Sequence, residues 1–303
     1  MDMELNGIYT ALITPFNDDF SINEKEYQKV IDLIIDEGVH GIVVAGSTGE
    51  NYSQSLEERL HLADLSSKII NKRVKLILGI GGFSRTEDSV IVGKKAREIG
   101  ADAIMISSPP YAVPTSEENA ANSLYINKEI NLPILLYNYP GRTSVNMDKK
   151  YLDIVSKEKN FIGIKESSGE IERINFLINN YPNIQLCCGM DDQAFDYFKG
   201  GAKSWVCAGS NFSAKAHLAL WKTCVAEKNL DKGLKIWEAM KPLMINLEQG
   251  GKFIQSIKYA TSLRGINSEQ VRMPLQGLND EEKLGLRNII EDMNLKIEKI
   301  MNE

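Results

Sequence analysis

Two hydrophobic rhythms alternate along the chain. Short, nearly continuous apolar or β-branched runs occupy Ile8–Pro15, Gly41–Ala45, Val74–Ile80, Ala103–Ser107, Pro133–Tyr137, Phe161–Lys165, Ile184–Cys188 and Ser204–Ala208. Such runs suit parallel strands that are covered on both faces. Between them, apolar residues recur with helical spacing over Glu24–Glu37, Leu56–Ile70, Arg85–Ile99, Glu117–Glu129, Met147–Ser156, Glu170–Asn179, Gln193–Phe198 and Ala214–Ala226. Gly38 and Gly100 stand just past the first and third of these stretches, where a helix commonly ends in a left-handed residue.

Eight strand–helix units in series, with no other kind of domain between them, predict an α/β fold: a (β/α)8 TIM barrel over residues 1–230. The competing architecture is a doubly wound open sheet, which usually shows a GxGxxG turn after its first strand. The segment LITPF at Leu12–Phe16 has none. Beyond Asp231 the pattern is helical only, over Lys232–Asn246, Lys252–Leu263 and Asp280–Met301. Residues 231–303 are therefore expected to form a C-terminal helical extension packed on the barrel. No linker, low-complexity tract or solenoid repeat interrupts the pattern.

Composition narrows the partners. The chain of 303 residues is 43% hydrophobic and 25% charged, ordinary for a globular protein. Its net charge is −6 with scattered basic residues, so it lacks the concentrated basic face that nucleic-acid binding requires. No apolar run is long enough to span a bilayer, and MDMELNGIYT has neither a basic n-region nor an apolar h-region. A cytoplasmic protein with no membrane partner is expected. Cys187 and Cys188 are adjacent while Cys207 and Cys224 are isolated, which gives neither a disulfide framework nor a CxxC knuckle. His40, His61 and His217 are widely spaced, so no metal is expected.

Barrel chemistry sits where strands end at the C-terminal rim. Lys165, in FIGIKESSG, closes the sixth apolar run. Burying an ammonium is costly, and a desolvated neutral amine is what Schiff-base chemistry needs. The alternative is a rim ion pair, with Glu166 as the nearby partner. Tyr137 ends the preceding run, PILLYNYP. Neighbouring strands lie about 4.8 Å apart, so its phenol can reach the amine or a substrate bound to it; alone, such a residue is more often a core aromatic with a satisfied hydroxyl. Gly46–Glu50 (GSTGE) combines permissive glycines with the hydroxyls of Ser47 and Thr48, which suits a carboxylate or, more simply, a turn. It lacks the GK[ST] ending of a nucleotide-binding loop. Gly81–Gly82 reads as a tight turn. Arg142, in YNYPGRTS, can clamp a carboxylate or lie solvated. Tyr111, beside Pro109–Pro110 on a stiff loop, suits either the site or a subunit contact.

In this order, the TPF end of the first run, GSTGE, the Pro-Tyr loop, YNYPGRT, GIKESSG and the glycine-bearing seventh run resemble the dihydrodipicolinate synthase / N-acetylneuraminate lyase family of Schiff-base lyases. The resemblance implies a (β/α)8 barrel, usually assembled as a homotetramer of two dimers. It implies Lys165 as the imine-forming lysine and Tyr137 as the proton-transfer phenol. Ser47 and Thr48 would receive the keto-acid carboxylate and extend the relay. Tyr111 matches the aromatic lent across the dimer interface, Val206 the residue whose carbonyl faces substrate, and Gly189 a point of close backbone approach. No cofactor beyond the covalent imine is implied.

Arg142 resembles the synthase branch, where an arginine binds the carboxylate of aspartate semialdehyde. The implied activity is condensation of pyruvate with that aldehyde to a 4-hydroxy-tetrahydrodipicolinate. The chain departs from the branch at Ser47 (usually threonine), Tyr139 (usually small), Pro110 (often tyrosine) and GGKFIQSIKYA, which lacks an Asn-Pro-x-Pro motif. Those departures keep open a catabolic relative acting on a sugar acid, sialic acid or hydroxylated pyrroline carboxylate. A non-catalytic ligand sensor would be expected to lose Lys165 or Tyr137, and a phosphate-binding barrel would carry a glycine-rich cradle where GMDDQ and AGSNF stand. Leu56 and Arg59 stand at the positions that correspond to the allosteric histidines of lysine-inhibited synthases, so the resemblance implies no feedback inhibition by lysine.

Overall fold

The eight apolar runs form eight parallel strands that close into a barrel in chain order: β1 (Gly7–Ala11), β2 (Gly41–Val44), β3 (Lys75–Gly79), β4 (Ala103–Ser107), β5 (Ile134–Asn138), β6 (Phe161–Glu166), β7 (Gln185–Cys188) and β8 (Ser204–Cys207). The computed structural model describes residues 3–302. Helices α1 (Glu24–Asp36), α2 (Leu56–Ile70), α3 (Thr86–Glu98) and α4 (Ser116–Ile130) separate the first five strands. After β5 come α5 (Pro140–Thr143) and α6 (Lys149–Val155), then α7 (Glu172–Asn180), α8 (Ala194–Gly200) and α9 (Ser210–Trp221). Local chemistry sets several starts. Ser55 with Glu58, and Thr115 with Glu118, form reciprocal capping boxes on α2 and α4.

The differences from the predicted boundaries have local causes. The first strand stops at Ala11 because the Ile13 N–H is taken by the side chain of Asn211 at 3.1 Å. The unpredicted α5 lies inside YNYPGRT, with Pro140 at its first position, where a fixed φ and a missing N–H are no handicap. α9 begins before Ala214 and is kinked at Ser213, whose hydroxyl donates to the Gly209 carbonyl at 2.9 Å.

Burial sorts the apolar residues into two groups. Tyr9, Val43, Ile77, Met105, Leu135 and Val206 are among those filling the barrel interior. The larger group lies between strands and helices and continues without a break into the C-terminal helices α10 (Leu230–Gln249), α11 (Phe253–Ser262) and α12 (Asp280–Asn302), through Trp237, Met240, Leu243 and Met293. Between α11 and α12 the chain returns to the barrel rim. There Arg272 donates to the Phe20 and Ser53 carbonyls at 2.7 Å and pairs with Glu58. Among the described residues no helix is long and apolar enough to cross a membrane.

Candidate active site

Strand register decides which residues face the barrel interior. Ile134 pairs with Phe161 but Leu135 pairs with Gly163, so β6 carries one extra residue. That bulge resets the inward–outward alternation. Tyr137 and Lys165 become direct partners and share the inner face; Lys165 in turn pairs with Cys187. Lys165 is 5% exposed, and its Nζ lies 4.2 Å from the centre of the Tyr137 ring. The Tyr137 hydroxyl shares a 3.4 Å hydrogen bond with Ser47.

Asn138 and Glu166 point to the opposite face, and their contacts remove Glu166 as the partner of Lys165. Glu166 accepts from Arg173 at 2.8 Å, from Asn138 at 3.0 Å and from the Ser168 N–H at 2.8 Å. Alternate residues of β5 and β6 thus present candidate reactive groups inward and structurally engaged ones outward. Cys187, beside Lys165, has its thiol pushed up to about 11 by burial, so it is an uncharged neighbour.

Two hollows at the barrel mouth share Ser47, Tyr137, Tyr139 and Arg142. The narrower, about 20 Å³, also has Thr48, Lys165, Gly189 and Val206 in its wall. The wider, about 280 Å³, continues past Asn51, Tyr52 and Pro110. Seven of the eight residues singled out in the sequence therefore converge. Tyr111 does not: it is 97% exposed at φ 68°, on the loop whose Pro110 touches the wider hollow. At Gly189 a Cβ would meet Lys165 Cγ at 2.7 Å and the Glu166 carbonyl at 2.8 Å, so a side chain here would displace the lysine. The tight-turn reading of Gly81–Gly82 is incomplete. Both line the wider hollow, and a Cβ on Gly81 would strike the Ser107 backbone at 2.9 Å.

Two features of the site escape the sequence reading. Asp191 and Glu248 line the narrow hollow together with Lys165. Asp191 is fixed by Trp205 Nε1 at 2.9 Å and the Ala208 N–H at 3.1 Å, yet burial pushes its carboxyl up to about 6. Burial, then Asp191 beside it, pushes Glu248 up to about 8. The second feature is a fully buried pair, Glu50 with Lys258, whose Nζ also donates to the Gln270 carbonyl; both distances are 2.5 Å. Lys258 had a legible signal, since it interrupts the apolar stripe of FIQSIKYA as Lys165 interrupts FIGIK. Among the described residues no group of three or more His, Cys, Asp or Glu gathers where a metal ion could be held.

Known proteins share this architecture. A sequence profile of the Dihydrodipicolinate synthetase family matches residues 4–293. The 4-hydroxy-tetrahydrodipicolinate synthase of Bartonella bacilliformis is 32% identical over 92% of this chain and 95% of its own. That of Bacillus subtilis is 30% identical over 96% of this chain and all of its own. The solved 4-hydroxy-tetrahydrodipicolinate synthase of Methylacidiphilum fumariolicum superposes with a TM-score of 0.93 at 28% identity, over 99% of both chains. With profile, sequences and fold agreeing along nearly its full length, the chain belongs to the dihydrodipicolinate synthetase family.

Proposed function

We propose that this chain is a 4-hydroxy-tetrahydrodipicolinate synthase, condensing pyruvate with aspartate semialdehyde through an imine on Lys165. The observation that carries the reading is the convergence of Lys165, its register partner Tyr137 and the Arg142 guanidinium on one pair of hollows. The named relatives support the same activity.

In this reading the Lys165 amine adds to the keto carbon of pyruvate. Tyr137 and Ser47 pass a proton to the carbonyl oxygen, which leaves as water, and the loop at Ser47 and Thr48 receives the carboxylate. The imine loses a methyl proton to become an enamine, whose terminal carbon attacks the aldehyde carbon. The aldehyde oxygen takes up a proton and becomes the product hydroxyl. The acceptor's amino group then adds to the imine carbon and expels the Lys165 amine, closing a six-membered ring; one water is released per turnover. Arg142 holds the acceptor carboxylate. The imine itself serves as the electron sink, so no metal or organic cofactor enters. The enzyme works on small molecules as a homotetramer of two dimers, with Tyr111 of the partner subunit entering the wider hollow. Its four buried free thiols suit the cytoplasm.

The test is borohydride reduction in the presence of pyruvate, followed by peptide mass mapping and an assay with aspartate semialdehyde. A reduced pyruvyl adduct on Lys165 with turnover of the aldehyde is expected. No adduct on folded protein would sink the reading. An adduct with turnover only of sugar acids or pyrroline carboxylates would move the chain to the catabolic relatives.

A further inference from the structure

One acidic group at the site has no part in that mechanism. Glu248 sits on the last turn of α10, outside the barrel, and lines the narrow hollow with Lys165, Tyr139 and Arg142. Its Oε1 accepts from the Asp191 N–H at 3.0 Å, which anchors the carboxyl group to the wall. Among the described residues nothing donates to its Oε2 and no cation pairs with it. Asp191 is differently placed, because its oxygens already accept from Trp205, Ala208 and Gly209. Glu248 therefore brings an acceptor that the protein leaves open.

The charge balance says what it would accept. Arg142 and Glu248 put a cation and an acid on one small cavity, and the Tyr139 hydroxyl feels both. Glu248 is also an incompletely compensated acid: burial and Asp191 hold it up to about 8 against the smaller opposing pull of the Lys165 charge. A hydroxyl donor would satisfy its oxygen but leave that imbalance. An ammonium would satisfy the oxygen and add positive charge to the little that Lys165 supplies. A ligand bearing both a carboxylate and an ammonium offers a partner to each of these residues.

We propose that Glu248 is the specificity-determining residue for the acceptor, receiving the α-ammonium next to the carboxylate held by Arg142. The acceptor class is then an α-amino-acid aldehyde rather than a hydroxylated one. This rests on the synthase reading above, and it assigns that reading's amino-group recognition to a residue of the C-terminal helices.

The experiment compares wild type with Glu248→Gln, using pyruvate with aspartate semialdehyde or with 4-oxobutanoate, the same aldehyde without its amino group. The variant is expected to lose roughly 10- to 100-fold in kcat/KM for the amino aldehyde, through KM, the worth of one hydrogen bond to a charged group. It should change little with 4-oxobutanoate, and borohydride trapping of pyruvate on Lys165 should match wild type. Equal losses with both aldehydes, or no loss, overturns the proposal while leaving the synthase reading intact. Wild type that traps pyruvate but does not turn over aspartate semialdehyde overturns both. Should the variant fail to trap pyruvate, inhibition of wild type decides. Homoserine is expected to bind at least about tenfold more tightly than 4-hydroxybutanoate, and equal inhibition rejects the role.

Discussion

At the scale of single residues the site is a pair of hydroxyls, Tyr137 and Ser47, beside a buried amine. Lys165 lies against the Tyr137 ring, and the Tyr137 hydroxyl meets Ser47 at 3.4 Å. Tyr137→Phe keeps the aromatic packing and removes only the hydroxyl proposed to carry the proton. Single-turnover imine formation should slow by about 10²–10⁴-fold, the usual worth of a positioned acid–base, with thermal stability nearly unchanged. Ser47→Ala should cost less, because solvent in the adjoining hollow can stand in for the second hydroxyl; an equal loss in both variants would make Ser47 an obligatory carrier. Glu248 has a separate signature in stability. Its folded pKa of about 8 lies above the ordinary 4.5, so the folded chain keeps the proton longer than the unfolded one. The stabilisation from that proton is complete below pH 4.5 and is lost as pH rises through about 8. Glu248→Gln, neutral throughout, should therefore gain on wild type between pH 5 and pH 9. The gain should be about 1–2 kcal/mol, discounted for the group's partial exposure. Denaturant melts across that range measure it, and a gap that narrows toward pH 9 contradicts the assignment.

Elements explain why these residues meet. Glu50 adopts φ 59° directly after the Ser47–Gly49 turn, and its buried carboxylate is held from the C-terminal segment by Lys258 and by the Arg272 N–H at 3.1 Å. The Ser47–Gly49 turn, proposed to receive the keto-acid carboxylate, is thus tied to α11 and to the irregular return after it. Lys258→Met should cost about 3–5 kcal/mol by leaving Glu50 charged and unpaired. The double variant Glu50→Gln with Lys258→Met should recover part of that loss while the KM for pyruvate stays raised. A KM equal to wild type in the folded double variant would show that the tie does not position the turn. This scale also separates what was legible in the sequence from what was not. Strands and helices were legible because a closed sheet needs apolar runs and its cover needs amphipathic stretches. Lys165 stood out as a charge ending such a run. The bulge at Ile162 did not, since register depends on the neighbouring strand, yet without it Lys165 would face outward. Glu248 was silent too. It sits at the end of an amphipathic helix, and only the packing of α10 against the turn after β7 brings it to the lysine.

For the whole molecule the question is whether one chain makes a complete site. Arg59, at one of the positions discussed for feedback, is fully buried and donates to the Gly79 and Gly81 carbonyls at 2.7 and 3.1 Å. It braces the loop after β3 and is not free to face an effector. Steady-state rates should stay flat with added lysine, and half-inhibition at sub-millimolar lysine would overturn that. Tyr111 poses the larger question. A tyrosine 97% exposed at a positive φ, on a loop that borders the site, serves little purpose within its own chain. If it completes a neighbour's site, two inactive variants should rescue one another. Tyr111→Phe keeps Lys165 but offers no hydroxyl, whereas Lys165→Ala offers the hydroxyl but forms no imine. After dissociation and random reassembly about half the dimers are hybrids, each with one repaired site, so activity should recover to about a quarter of wild type. Action within one chain allows no recovery, because every site then lacks either its phenol or its amine. Confirmed hybrids that remain inactive would therefore return Tyr111 to its own chain.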